Sequence, residues 1–255
     1  MGQHSTRDIG ASFVAVLLAS VAPFNGAVAQ SSGSVSAVNP RTTGTPPGGA
    51  SRSLQIGNNV VYKERVQTSA EGTAQITFPD RTTLNVGRNS SLLIDEFVYN
   101  PESGSGRMAL SLAKGALRFV GGQVSHTNGA TVKTPAATLG IRGGVATVLY
   151  KSDSLPPDPL NCGGAVIINH FGTLTVRNDV SERVISRSGY GVCVLPNQPI
   201  PEPIPVSDTL LAYVVALLRS LPGQHGGPCF CRRTTWPPEA ASRCRAWAIP
   251  IRLPA

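Results

Sequence analysis

Aromatic and charged side chains are both scarce in this chain of 255 residues, at 5% and 14%. Its central region holds only Tyr62, Tyr99, Tyr150 and Tyr190 with a few phenylalanines, which disfavours a sugar-stacking platform. Histidine is limited to His4, His126, His170 and His225. No Gly-x-Ser-x-Gly elbow, no paired acids at a strand end and no phosphate-cradling glycine motif occurs. These shortages argue against catalysis, so the chain is read as non-enzymatic, without cofactor or metal. A Ser or Thr hydrolase using His126 or His170 is the enzymatic alternative.

Long apolar runs are missing as well. The mostly apolar segment from Ala11 to Ala22 falls short of the roughly 20 residues a membrane-spanning helix needs. With Arg7 before it and Ala27-Val-Ala29 after it, the segment reads as a signal peptide over residues 1–29, which places the mature chain in the periplasm or outside the cell. Residues 30–53 are rich in Ser, Gly, Thr and Pro and are expected to form a disordered leader. The alternating prolines of Pro196 to Pro205 predict an extended strap over 196–206, so the intervening module at 54–195 has room for one core.

What is present is a repeated phrase, a glycine followed by a short alternating strand. In Gly72-Thr-Ala-Gln-Ile-Thr-Phe78 the residues Ala74, Ile76 and Phe78 share one face, the period of a half-buried β-strand. Gly115, Gly144, Gly164 and Gly172 open similar runs. About a dozen short strands separated by turn residues, with no helix among them, predict an all-β module, either a short β-solenoid or a twisted β-sandwich. From Ser207 to Leu221 the period changes, and Leu210, Val214, Leu217 and Leu221 fall on one helical face with Ser207 or Asp208 as N-cap. This helix over 207–221 either caps an end of the module or docks a partner or a membrane surface.

Val66-Gln-Thr-Ser-Ala-Glu-Gly72, Ile76-Thr-Phe-Pro-Asp80, the run Leu84 to Tyr99, Gly115-Ala-Leu-Arg-Phe119 and Lys133-Thr-Pro-Ala-Ala-Thr-Leu-Gly-Ile-Arg-Gly143 follow one another in the module. Together they resemble the FecR domain, the extracytoplasmic module named after the ferric citrate transport regulator. The resemblance covers roughly Val60 to Leu149 and implies an all-β periplasmic domain without enzymatic activity. In signalling members it implies a receiver that contacts an outer-membrane transporter and passes the signal inward through one membrane helix. Here the apolar segment begins near residue 11, leaving no room for a preceding cytoplasmic segment, so this chain is expected not to signal inward by itself. Two residues depart from the family pattern: Arg81 replaces a glycine after Asp80, and Gly144 replaces a threonine after Gly143. Asp-Arg suits a tight primed turn less well than Asp-Gly, so a wider hairpin is expected at Pro79 to Thr82.

Arg142 interrupts an apolar run and is the first candidate site residue. It either binds a ligand carboxylate, pairs with an internal acid such as Asp95, or caps backbone carbonyls. The adjacent Asp95 and Glu96 are a weak calcium signal, since alternate strand residues point apart. Cys162 and Cys193 flank the last strands and are expected to pair, a closure worth about 3 to 4 kcal/mol in the chain-entropy model. Cys229, Cys231, Cys244 and His225 lie in a basic tail over 222–255, read as disordered, where a loose disulfide fits better than zinc. The tail's arginines against Glu239 carry +4 of the overall +8. Secretion argues against nucleic acid, leaving two kinds of partner: an envelope protein, outer-membrane proteins included, engaged in sensing or signalling, or an anionic surface polymer bound by a structural or adhesive module.

Overall fold

The computed structural model describes residues 31–151 and 158–219, together with Gly2. The expected signal peptide and the cysteine-containing tail lie outside the described residues. The fold is all-β with a C-terminal helix, built as one mixed sheet of 15 strands. In chain order the first strands are β1 (Ser31–Val38), β2 (Thr42–Thr45), β3 (Arg52–Ser53), β4 (Asn59–Val61) and β5 (Arg65–Thr68). Then come β6 (Ala74–Thr77), β7 (Thr83–Val86), β8 (Ser91–Tyr99), β9 (Gly106–Val120), the short helix α1 (Gln123–Thr127) and β10 (Ala130–Lys133). The chain continues through β11 (Thr138–Tyr150), β12 (Ala165–Arg177), β13 (Glu182–Ile185), β14 (Tyr190–Val194), β15 (Ile204–Pro205) and α2 (Asp208–Leu218).

Three strands are much longer than the alternation alone predicts. Gly72 and Gly164 precede their strands as expected, but Gly115, Gly144 and Gly172 stand inside β9, β11 and β12, with φ of 95°, 90° and 92°. Each long strand bends there and changes partners. Before its bend β9 pairs with β8 and, in parallel, with β10; after it, with β7 and β11. The first part of β11 lies between β10 and the second part of β12, and its second part lies between β9 and the first part of β12. The sheet thus folds over into two layers. The first holds β13, β10, β8, β5, β2 and β3 with one half of each long strand; the second holds β15, β14, β7, β6, β1 and β4 with the other halves. Leu110, Leu139 and Ile141 from the first layer and Ile76, Leu84 and Phe119 from the second belong to one core.

The bends of β11 and β12 nest closely. A Cβ on Gly144 would collide with the carbonyl oxygen of Phe171, and one on Gly172 would meet that of Gly143. The glycine that departs from the family pattern is thereby a requirement of this backbone.

The leader expectation is overturned. Residues 31–53 form β1 to β3, with β1 inserted between β4 and β6 and Val35 1% exposed. Composition misleads because a strand lying in a ladder satisfies its backbone groups with few apolar side chains. Arg52 anchors the segment through a 2.8 Å ion pair to the fully buried Glu64, which also accepts the Val61 N–H.

Two further expectations change. A helix does interrupt the strands: α1 makes the crossover between parallel β9 and β10. Its first turn rests on Asp80, which is 0% exposed and accepts hydrogen bonds from the Val124 N–H, the Thr82 N–H and the Thr82 hydroxyl. The hairpin at Pro79 to Thr82 is also compact, not wide. Phe78 N–H donates to Thr82 O and Arg81 N–H to Phe78 O, both at 2.9 Å, and Arg81 takes φ 70°, the left-handed position that glycine favours.

The C-terminal elements follow the sequence more closely. Cys162 and Cys193 are disulfide-bonded with Cα atoms 5.9 Å apart. Helix α2 is capped by the Ser207 hydroxyl, which accepts the Leu210 N–H. It lies across a face, not an end, packing Leu210 and Val214 onto Ala116, Leu149, Val166 and Cys193 on the outer side of the second layer. The strap inserts Ile200, 2% exposed, at the edge of the core, and adds β15 beside β14.

Arg81→Gly is expected to raise stability by up to about 1 kcal/mol, because glycine meets the left-handed backbone without a Cβ penalty. Gly144→Ala is expected to cost more than about 2 kcal/mol or to prevent folding. Urea unfolding of both variants checks the pair.

Candidate functional site

Cross-strand register builds the outer side of the first layer. Thr131 of β10, Gly140 of β11, Thr175 of β12 and Val184 of β13 stand side by side. They form the floor of a groove of about 400 Å³, bounded by Asn128, Gly129, Thr173 and Arg142. Glycine inside a strand costs roughly 0.5–1 kcal/mol relative to alanine and marks places where a ligand or another chain approaches. At Gly140 the fold itself does not demand it. The backbone there is not left-handed, and an added Cβ would make only ordinary contacts, 3.7 Å to Thr175 O and 3.8 Å to Thr175 Cβ. The missing side chain deepens the floor next to Arg142.

Arg142 is exposed and makes no ion pair among the described residues. Asp95 lies on β8, with β9 and β10 between it and β11, and accepts a hydrogen bond from the Ser111 hydroxyl. The fold therefore does not bring Arg142 and Asp95 together. Glu96 turns to Arg107 at 3.8 Å, so the two adjacent acids have separate partners. A second row on this face carries Glu182, Arg177, Lys133 and Arg65, with Asp95 bonded to Ser111 between the last two, and Arg177, Lys133 and Arg65 make no ion pair among the described residues. The surface is a shallow, small-residue groove with Arg142 at its rim and charges of both signs in the row beyond.

The outer side of the second layer holds a cluster that sequence spacing does not announce. Arg118 of β9 stands opposite Thr147 of β11, and the register shift between Val145 and Ala146 brings in His170 of β12. His170 Nε2 lies 2.8 Å from Thr147 Oγ1 and 3.5 Å from Arg118 Nη2. Burial, and secondarily the Arg118 charge, push the imidazole down to about 4, so it is neutral at pH 7 and Nε2 accepts from both neighbours. Burial also lowers the Arg118 pKa. As a nucleophile and base pair the arrangement is poor, since Thr147 is fully buried and so weakly basic a histidine is a feeble proton acceptor. The common outward parity of the three residues is the only sequence signal, and it becomes informative once the register is known.

Residues 64–155 match the family model described as FecR protein. Over that span the chain is similar to the FecR domain. The matched span runs from the buried Glu64 through β11 and includes Asp80, Gly140 and Arg142, whereas His170 lies beyond it. Among solved structures, a crystal structure of a candidate anti-sigma factor from Parabacteroides distasonis at 2.50 Å resolution is 14% identical with a TM-score of 0.42, over 60% of this chain and 63% of that one. Another, at 1.65 Å from the same organism, is 12% identical with a TM-score of 0.41, over 60% and 64%. This chain thus spans less than two thirds of those proteins, and likeness at that level carries no functional argument. No curated protein matches the chain. Among the described residues no helix is long and apolar enough to cross a membrane, and no three His, Cys, Asp or Glu side chains group as a metal site.

The His170 environment makes stability depend on acidity. In the unfolded chain the imidazole takes up a proton near 6.5, while in the fold it resists protonation down to about 4. Its contribution is therefore complete above about 6.5 and is lost as pH falls through that window. Urea unfolding from pH 7 to pH 4 is expected to show this loss in the wild type and a shallower slope in His170→Asn, with the imidazole NMR titration near 4 as the direct readout.

Proposed function

We propose that this chain is a non-catalytic, extracytoplasmic FecR-like β-domain that binds a protein of the bacterial envelope as part of sensing or signalling. The groove over Gly140 carries the reading: a glycine that neither backbone conformation nor packing requires, set in a strand and flanked by an exposed, unpaired arginine. The segment Lys133 to Gly143, among those that resemble the FecR domain, lines this surface. A disulfide suits an oxidising compartment and supports periplasmic or secreted residence. An outer-membrane protein presenting an extended segment with a carboxylate for Arg142 fits this groove.

Crosslinking of the full chain to envelope fractions tests this. A single envelope protein is expected with the wild type, and its recovery is expected to fall at least tenfold in Gly140→Leu and in Arg142→Ala, with circular dichroism unchanged. Equal recovery by all three chains, or capture of anionic polymer alone, would replace this reading with the structural or adhesive one.

A further inference from the structure

The groove leaves the opposite face unused, and that face holds a charge without a counterion among the described residues. Arg118 is partly desolvated, and among the described residues its buried Nε has no hydrogen-bond partner and its side chain's one hydrogen bond is to the neutral His170. The outward residues around it are Gln75 and Thr77 of β6, Thr83 and Asn85 of β7, Val120 of β9, Thr147 of β11 and His170 of β12. None is acidic. The elements that border the cluster bring further positive charge, with Arg88 after β7 hydrogen-bonded through its backbone N–H to Leu217 O near the end of α2, and Arg219 closing that helix. A partly buried cation is costly unless it is paired.

We propose that Arg118 and Asn85 bind a phosphate group, with His170 and Thr147 positioning the guanidinium. Asn85 stands directly opposite Arg118 on β7, and its amide makes no side-chain hydrogen bond among the described residues, so it is available as a second donor. Arg118 retains donors beyond the one at His170, in the planar fork that matches two oxygens of an oxyanion. His170, itself fixed by the Thr147 hydroxyl, holds the guanidinium from the other side. Donors that rise from two neighbouring strands, about 4.8 Å apart, reach around a tetrahedral oxyanion. Phe171, 65% exposed on the residue after His170, gives the site an apolar neighbour, so the phosphate arrives either as a free ion or on the headgroup of a lipid. This site is independent of the partner groove, being on the other layer.

The test is NMR titration of the full chain with inorganic phosphate, following the Arg118 Nε–H and the His170 ring, with chloride at matched ionic strength as control. Saturable shifts confined to the cluster are expected, abolished in Arg118→Gln and weakened severalfold in Asn85→Ala. Arg118→Lys keeps the charge but loses the fork, and is expected to weaken binding at least fivefold, which covers the case in which Arg118→Gln does not fold. Sedimentation with phosphatidylglycerol vesicles, against phosphatidylcholine, separates the sources. Vesicle binding that requires Arg118 assigns the phosphate to a lipid, and phosphate shifts without vesicle binding assign it to a soluble ion. Shifts that rise linearly and equally with phosphate and chloride would overturn the proposal.

Discussion

Three bends hold the architecture together. β9, β11 and β12 each serve both layers, and they do so only because glycine permits a left-handed turn of the backbone inside a strand. At Gly144 and Gly172 the constraint is doubled, since the two bends press against each other with no room for a side chain on either. The wedge of β10 follows from the same geometry: it fills the gap that opens between β9 and β11 in the first layer, where in the second layer those strands pair directly. Both candidate sites inherit their positions from these bends, one on the outer side of each layer.

The alternation of apolar residues read the fold correctly where strands are short. β6 and β7 lie where Ala74, Ile76, Leu84 and Val86 place them, and the helix with its Ser207 cap and the Cys162–Cys193 bond were also legible. Length was not. A glycine between two alternating runs looks the same whether the chain reverses there or merely bends, so the pattern around Gly115, Gly144 and Gly172 does not tell a turn from a bend. The leader was missed for a different reason. Ser34 to Val38 contribute a ladder of hydrogen bonds more than a hydrophobic face, and apolar content does not measure that. The apolar residues from Val60 to Val66 likewise suggest a continuous run, whereas Lys63 at φ 56° separates β4 from β5.

The candidate sites were legible to unequal degrees. Arg142 stood out because a guanidinium in an apolar run is unusual, and it proves to face outward from an alternating strand. Gly140 did not stand out, because a glycine's importance lies in whether its neighbours leave room for a side chain, and only the folded packing reveals that. Arg118 and His170 are 52 residues apart in sequence and meet only through β11, so no local pattern encodes their contact. Asp80 likewise looked like a turn residue, yet it also seats the first turn of α1.

The strap from Pro196 to Pro205 has a consequence for how the protein behaves at high concentration. β13 is a boundary strand, bonded along one side only, and such a strand invites another chain to continue the ladder. Side-chain bonds from Asn178, Ser181 and Arg183 hold the strap alongside it, with an ion pair between Arg183 and Glu202. Pro199, Pro201 and Pro203 have no amide hydrogen to offer, so an intruding strand finds no matching row of donors there. The strap thus acts as a selvedge, finishing this border of the fabric so that one molecule does not become the template for a fibre.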